Sequence, residues 1–114
     1  MTLHRPQEWD IRDAPWPDEP GGTKLRPVMI LGSRWNGEST VFVACKITHT
    51  LRQRRDRFTI EEADDGFELT GLDDTSHAHL MECAEFASTE LKVYRGALPE
   101  SLAELVAEAL LDLI

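Results

Sequence analysis

A chain of 114 residues with 41% hydrophobic and 29% charged side chains has room for one modest core, so a single domain over residues 1–114 is expected. No apolar run approaches the ~20 residues of a membrane span, and residues 1–10 lack the apolar stretch of a secretory signal, so a cytoplasmic protein without a membrane partner is expected. The net charge of -9 is unevenly spread: residues 1–57 hold ten Lys or Arg against seven Asp or Glu, and residues 58–114 hold two against fourteen. A local patch, not the total, sets the field at a groove, so the first half can still meet phosphate.

Residues 1–23 carry Trp9 and Trp16 and four of the six prolines, Pro6, Pro15, Pro17 and Pro20. Residues 9–14 read as a short edge strand. Residues 15–23 read as a long surface loop, either a plain connection or a lid beside Arg26. The next stretch, KLRPVMIL at 24–31, sets two cations before an uninterrupted apolar run. Residues 28–31 read as a strand buried on both faces. Pro27 suits a first strand position and pushes Arg26 towards an extended conformation. Arg26 is then a fixed anion fork at the mouth of a rigid strand, and Lys24 a supporting cation.

Asn36 and Gly37 signal a hairpin turn. VFVACKI at 41–47 is a second strand, ended by Thr48, His49 and Thr50. If the two strands are hairpin neighbours, Arg26 lies near Thr48. A guanidinium and a hydroxyl at one sheet edge can grip a phosphodiester. His49 points to the opposite face if the strand continues, and can swing into the cleft if the ladder has ended. Lys46, Arg52, Arg54, Arg55 and Arg57 place five cations within twelve residues. They either face phosphates or neutralise the acidic half.

Further strand signals fall at 58–60, 77–81, 85–87 and 91–94, and residues 67–70 alternate as a strand does, after a turn at 64–66. His77 and His79 share a strand face and could ligate a metal. No third ligand is identifiable, so they read as surface histidines on a half-exposed strand. Cys45 and Cys83 sit in apolar stretches outside any CxxC pair and are expected as buried, reduced thiols. After Pro99, the residues Leu102, Leu105, Val106, Ala109, Leu110, Leu113 and Ile114 follow the spacing of one buried helix face. Glu100, Glu104, Glu108 and Asp112 form a solvated stripe beside it. No phosphate loop, HExxH or zinc spacing is present, so no cofactor and no metal is expected. The fold class is mainly β with a C-terminal helix, a small barrel or strongly bent sheet.

At Arg26-Pro27 the sequence resembles the MazF/PemK (Kid) family of toxins from bacterial type II toxin–antitoxin pairs. Trp9-Asp10-Ile11 stands where that family usually has Gly-Asp and an aliphatic residue. The 24–31 stretch is similar to its Arg-Pro strand, and Ile47-Thr48-His49 to the motif ending its next core strand. Gly71, Leu72, Ser76 and the following strand, then 91–98 and the amphipathic helix, match its later segments. The resemblance implies a small SH3-like or CcdB-PemK-like barrel and a homodimer neutralised by a cognate antitoxin. It also implies sequence-selective, metal-independent cleavage of single-stranded RNA, such as mRNA, through a 2',3'-cyclic phosphate. The family's catalytic roles carry over to Arg26 and Thr48. The RNA contacts expected are Lys24, Lys46, Arg52, Arg54, Arg55 and Arg57. The chain departs from the family at Trp9, at Lys46, where a proline or small residue is usual, and at His49, which replaces a small hydroxyl residue. An imidazole titrates near neutrality, so His49 is a candidate third catalytic group for acid/base work. The acidic C-terminal half motivates a second reading, a non-catalytic module on the same fold that binds RNA or a protein such as gyrase.

Overall fold

The two apolar runs become the centre of one sheet. The computed structural model describes residues 5–17 and 24–114. Six strands, β1 (Asp10–Pro15), β2 (Leu25–Trp35), β3 (Thr40–Thr48), β4 (Arg57–Ile60), β5 (Ser76–Ala87) and β6 (Val93–Ala97), precede the helix α1 (Glu100–Leu113). They form one antiparallel sheet in the order β4-β5-β3-β2-β1-β6. The fold is therefore mainly β with a C-terminal helix. Among the described residues no helix is long and apolar enough to cross a membrane.

Val28, Met29 and Ile30 are fully buried because β2 has a core on each side. Met29 joins Ile11, Cys45, Ile47, Ile60, Ala78 and Leu80 under Leu102 and Val106 of α1. Val28 and Ile30 join Ala14, Trp16, Ala44, Phe86 and Leu91 on the opposite face. Each such side chain contributes ~1.5–3 kcal/mol by leaving water, which fixes the register of β2, since a one-residue slip would exchange the two faces. The pairing shifts between Ile11 and Arg12, between Ile30 and Gly32, and between Cys45 and Lys46. Such bulges bend a strand and raise its twist, and here they let the sheet curve around the Met29 core.

The hairpin signal is met: Asn36 Oδ1 accepts the Glu38 and Ser39 N–H groups at 2.9 Å, and Gly37 takes φ 101°. Other expectations need correction. β1 is not an edge strand, because β6 returns to pair with its free side. Residues 67–70 form a 3-10 turn, not a strand. The two strand signals at 77–81 and 85–87 belong to one strand, β5. In the expected surface loop Trp16 is instead 5% exposed and packs near Phe86, with ring centroids 6.2 Å apart. Residues 18–23 of that loop, and with them most of the proposed lid, lie outside the described residues. Cys45 is buried but Cys83 is exposed. The helix buries a narrower stripe than expected, leaving Leu105 half-exposed and Ile114 open to water. Trp9, standing where the resembled family has glycine, takes φ 74°, a left-handed conformation costly for a side chain with a Cβ. Its backbone holds the corner, accepting Leu98 N–H at 3.0 Å and donating to the Ile30 carbonyl at 2.7 Å.

Candidate active site

Arg26 pairs with Ala14 of β1, and Val28 pairs with Lys46 of β3. Continuing that antiparallel register by two residues sets Thr48 opposite Arg26 on one face. Pro27 holds the start of β2 in place, with no ladder donor to lose on its own account. β3 ends at Thr48, whose hydroxyl oxygen accepts the Thr50 N–H at 3.1 Å. That local bond competes with the ladder and turns the chain away. His49 has therefore left the sheet and joins the same cleft.

The cleft has a volume of about 390 Å³. Arg26, Pro27, Lys46, Thr48, His49 and Arg52 line it, together with Asp73 and Arg95. His49 Nδ1 lies 2.9 Å from Asp74 Oδ1 and 3.3 Å from Ser76 Oγ, so the turn before β5 orients the ring. Both His49 and Asp74 are more than half exposed, which makes their contact a positioning device with little stabilising value.

Arg95 was not foreseen from the sequence. Its Nε donates to Asp13 Oδ1 at 2.7 Å and its Nη1 to the Gly71 carbonyl at 3.4 Å. Two glycines bring these segments together. Gly71 has φ 69°, and a Cβ there would strike the Arg95 carbonyl oxygen; a Cβ on Gly96 would strike that of Leu69. The glycines were the readable sign, since an isolated glycine in a strand marks a close backbone approach. The Asp13–Arg95 pair spans 82 residues and leaves no local sign.

The basic run divides. Lys46 and Arg52 line the cleft. Arg54 donates to both Asp56 oxygens, at 2.8 and 3.1 Å, and to Glu82 Oε1 at 3.3 Å. Asp56 also accepts the Met81 N–H at 2.8 Å, and its carbonyl accepts that of Leu80. The Arg54 hydrogen bonds, aided by the Met81 N–H, hold the Asp56 carboxyl down to about 2. Arg55 instead donates to the Asp112 carbonyl near the end of α1, and Arg57 to the Arg52 carbonyl. Neither lines the cleft, nor does the exposed Lys24.

His77 and His79 are not surface residues. They are 8% and 2% exposed, because β5 is flanked by β3 and β4. His77 Nδ1 lies 2.9 Å from Thr59 Oγ1 and His79 Nδ1 lies 3.2 Å from Glu82 Oε1. Burial, with the nearby Arg57 charge, pushes His77 below the usual histidine range. Among the described residues no group of three His, Cys, Asp or Glu side chains is placed to hold a metal.

A family model described as "PemK-like, MazF-like toxin of type II toxin-antitoxin system" matches residues 7–114. No curated protein sequence matches the chain. Among solved structures, the chain is similar to an endoribonuclease in complex with its cognate antitoxin from Mycobacterial species, with a TM-score of 0.67. The two share 17% sequence identity, over 94% of this chain and 92% of that one. At that identity the likeness is one of fold.

Proposed function

We propose that this chain, which belongs to the PemK-like, MazF-like toxin family of type II toxin–antitoxin systems, is an endoribonuclease that cuts single-stranded RNA in the Arg26–Thr48 cleft. The observation that carries the reading is the convergence of Arg26, Thr48 and His49 on one cleft, reached from the start of β2 and the end of β3. The endoribonuclease of like fold, solved with its antitoxin, supports both the activity and a cognate antitoxin as partner. The family resemblance adds a homodimer, sequence selectivity and cleavage that needs no metal.

In this reading the RNA 2'-oxygen attacks the adjacent phosphorus and the bond to the 5'-oxygen breaks, leaving a 2',3'-cyclic phosphate and a 5'-hydroxyl. Negative charge builds on the non-bridging oxygens. Arg26 offsets it with a guanidinium fork, and Thr48 donates a hydroxyl hydrogen bond. One proton must leave the 2'-hydroxyl and one must reach the 5'-oxygen. His49 serves one of these transfers, with Asp74 holding its Nδ1 and fixing the ring. Lys46 and Arg52 hold the strand by its phosphates.

The test compares cleavage rates of a mixed-sequence single-stranded RNA by the wild type, Arg26→Ala and Thr48→Val. Arg26→Ala is expected to lose roughly 10²–10³ in rate, as when one preorganised charge-stabilising donor is removed. A wild-type rate retained in Arg26→Ala would contradict the proposal.

A further inference from the structure

Cys45 of β3 and Cys83 of β5 stand directly opposite each other in the antiparallel ladder. Their neighbours fix the face they share. Ala44 and Ala84 are partners, as are Phe42 and Phe86, and all four pack in the core around Trp16. Side chains alternate along a strand, so both cysteines fall on the other face, where Cys45 joins the core around Met29. After burial, the Cys83 sulfur is the strongest influence holding the Cys45 thiol in its protonated form, as befits close neighbours. Cys45 is fully buried, whereas Cys83 is exposed, and both are free thiols. The cleavage reaction uses neither.

Paired residues of an antiparallel ladder have Cα atoms ~4.5–5.5 Å apart, inside the ~4.4–6.8 Å that a disulfide spans. Their Cβ atoms lie ~4.5–5.5 Å apart, while a disulfide draws them to ~3.5–4.5 Å, so the strands must close by ~1 Å. A bond made in this way carries strain and is easily reduced. The backbone beside it has room to yield. Cys45 faces Cys83 but Lys46 faces His79, so β5 sets residues 80–82 in the gap between the two pairs. That bulge carries Glu82 and borders Lys46, a residue of the cleft, with the two side chains 3.8 Å apart.

We propose that Cys45 and Cys83 are a reversible oxidation site, closing an intrachain disulfide when a hydroperoxide reaches Cys83. The Cys83 sulfur attacks one oxygen of hydrogen peroxide and the O–O bond breaks. Its thiol proton leaves with the other oxygen as water, and a sulfenic acid remains. The Cys45 sulfur then displaces the sulfenic oxygen, which departs with the Cys45 proton as a second water. Two thiols and one peroxide thus become one disulfide and two waters. Partial cover of the sulfur, with Asp56 and Glu82 nearby, pushes the Cys83 thiol up. The thiolate is the nucleophile, so the pair answers sustained oxidant and otherwise stays reduced. Closure draws β3 towards β5 beside Lys46 and slows RNA cleavage; that consequence, unlike the bond, rests on the RNA-cleaving reading of the cleft.

The test treats the full chain with hydrogen peroxide, blocks the remaining thiols and maps the peptides without reduction. A link from Cys45 to Cys83 within one chain is expected, and dithiothreitol should remove it. The exposed Met81 also takes up oxygen, but a thiol does not undo that change within the assay. The linked chain should cleave single-stranded RNA several-fold more slowly and recover on reduction, while Cys83→Ser keeps its rate through the peroxide treatment. Cys45→Ala should leave Cys83 as a sulfenic acid that dimedone captures. Links between chains only, or a wild type in which Cys83 is oxidised and Cys45 stays free, would overturn the site. A linked chain that cleaves RNA at an unchanged rate would overturn the coupling to Lys46. A chain inactive in both states would overturn the RNA-cleaving reading, and the link, read by mass, would stand.

Discussion

Arg26 owes its position to its neighbour. Pro27 restricts the backbone before it, and the apolar run after it anchors the strand, so that much was readable from eight residues. Thr48 was readable as a strand end. The helpers of the site were not: Asp74 reaches His49 across 24 intervening residues, and Arg95 reaches Asp13 from the neighbouring strand β6, which arrives from the far end of the sequence. The same holds for Asp56, one charge in a run of arginines, which is 6% exposed and fastens the 51–57 segment to β5 through Arg54 and the Met81 N–H. Asp56→Asn should destabilise the fold by about 2 kcal/mol, the scale of lost charge-assisted hydrogen bonds, read as a lower denaturant midpoint. Because the folded carboxyl titrates at about 2 instead of 3.8, its contribution is complete above about pH 4 and fades as pH falls towards 2. His77 acts in the same direction at higher pH. Its folded form resists protonation, so below the ordinary histidine value of about 6.5 the unfolded chain binds more protons and stability falls. The denaturant midpoint should therefore drop between pH 7.5 and pH 5.5, and drop less in His77→Gln.

At the scale of elements, the strands were legible where hydrophobic pattern and packing agree. β2 and β3 carry uninterrupted apolar runs because each is covered on both faces. The alternation at 67–70 misled because Gly66 and Gly71, both in left-handed conformations, close a 3-10 turn around it. The histidines of β5 read as polar and therefore as surface, yet β4 covers their outer side, a pairing that no local pattern announces. The glycine contacts give this scale its prediction. Gly71→Ala would force a side chain into a left-handed backbone and against the Arg95 carbonyl. It should cost about 2–3 kcal/mol in the denaturant midpoint, and it should also slow RNA cleavage, since Arg95 forms a wall of the cleft.

Over the whole molecule, charge and fold separate two tasks. The acidic second half sets the net charge of -9, while the cleft gathers Arg26, Lys46, Arg52 and Arg95 against Asp73. A net negative protein therefore presents a locally positive groove, and counterion release at the groove would govern its hold on RNA. The overall class was readable from the many short strands and the one periodic helix. The strand order was not, because the β1–β6 pairing joins opposite ends of the chain and depends on packing alone. The central claim is that the RNA's own 2'-hydroxyl is the nucleophile at Arg26 and Thr48. Its most direct test is to incubate the wild-type chain with single-stranded RNA in EDTA and identify the ends of the fragments. The account predicts scission with 2',3'-cyclic phosphate and 5'-hydroxyl ends; intact RNA, or fragments with 3'-hydroxyl and 5'-phosphate ends, would contradict it.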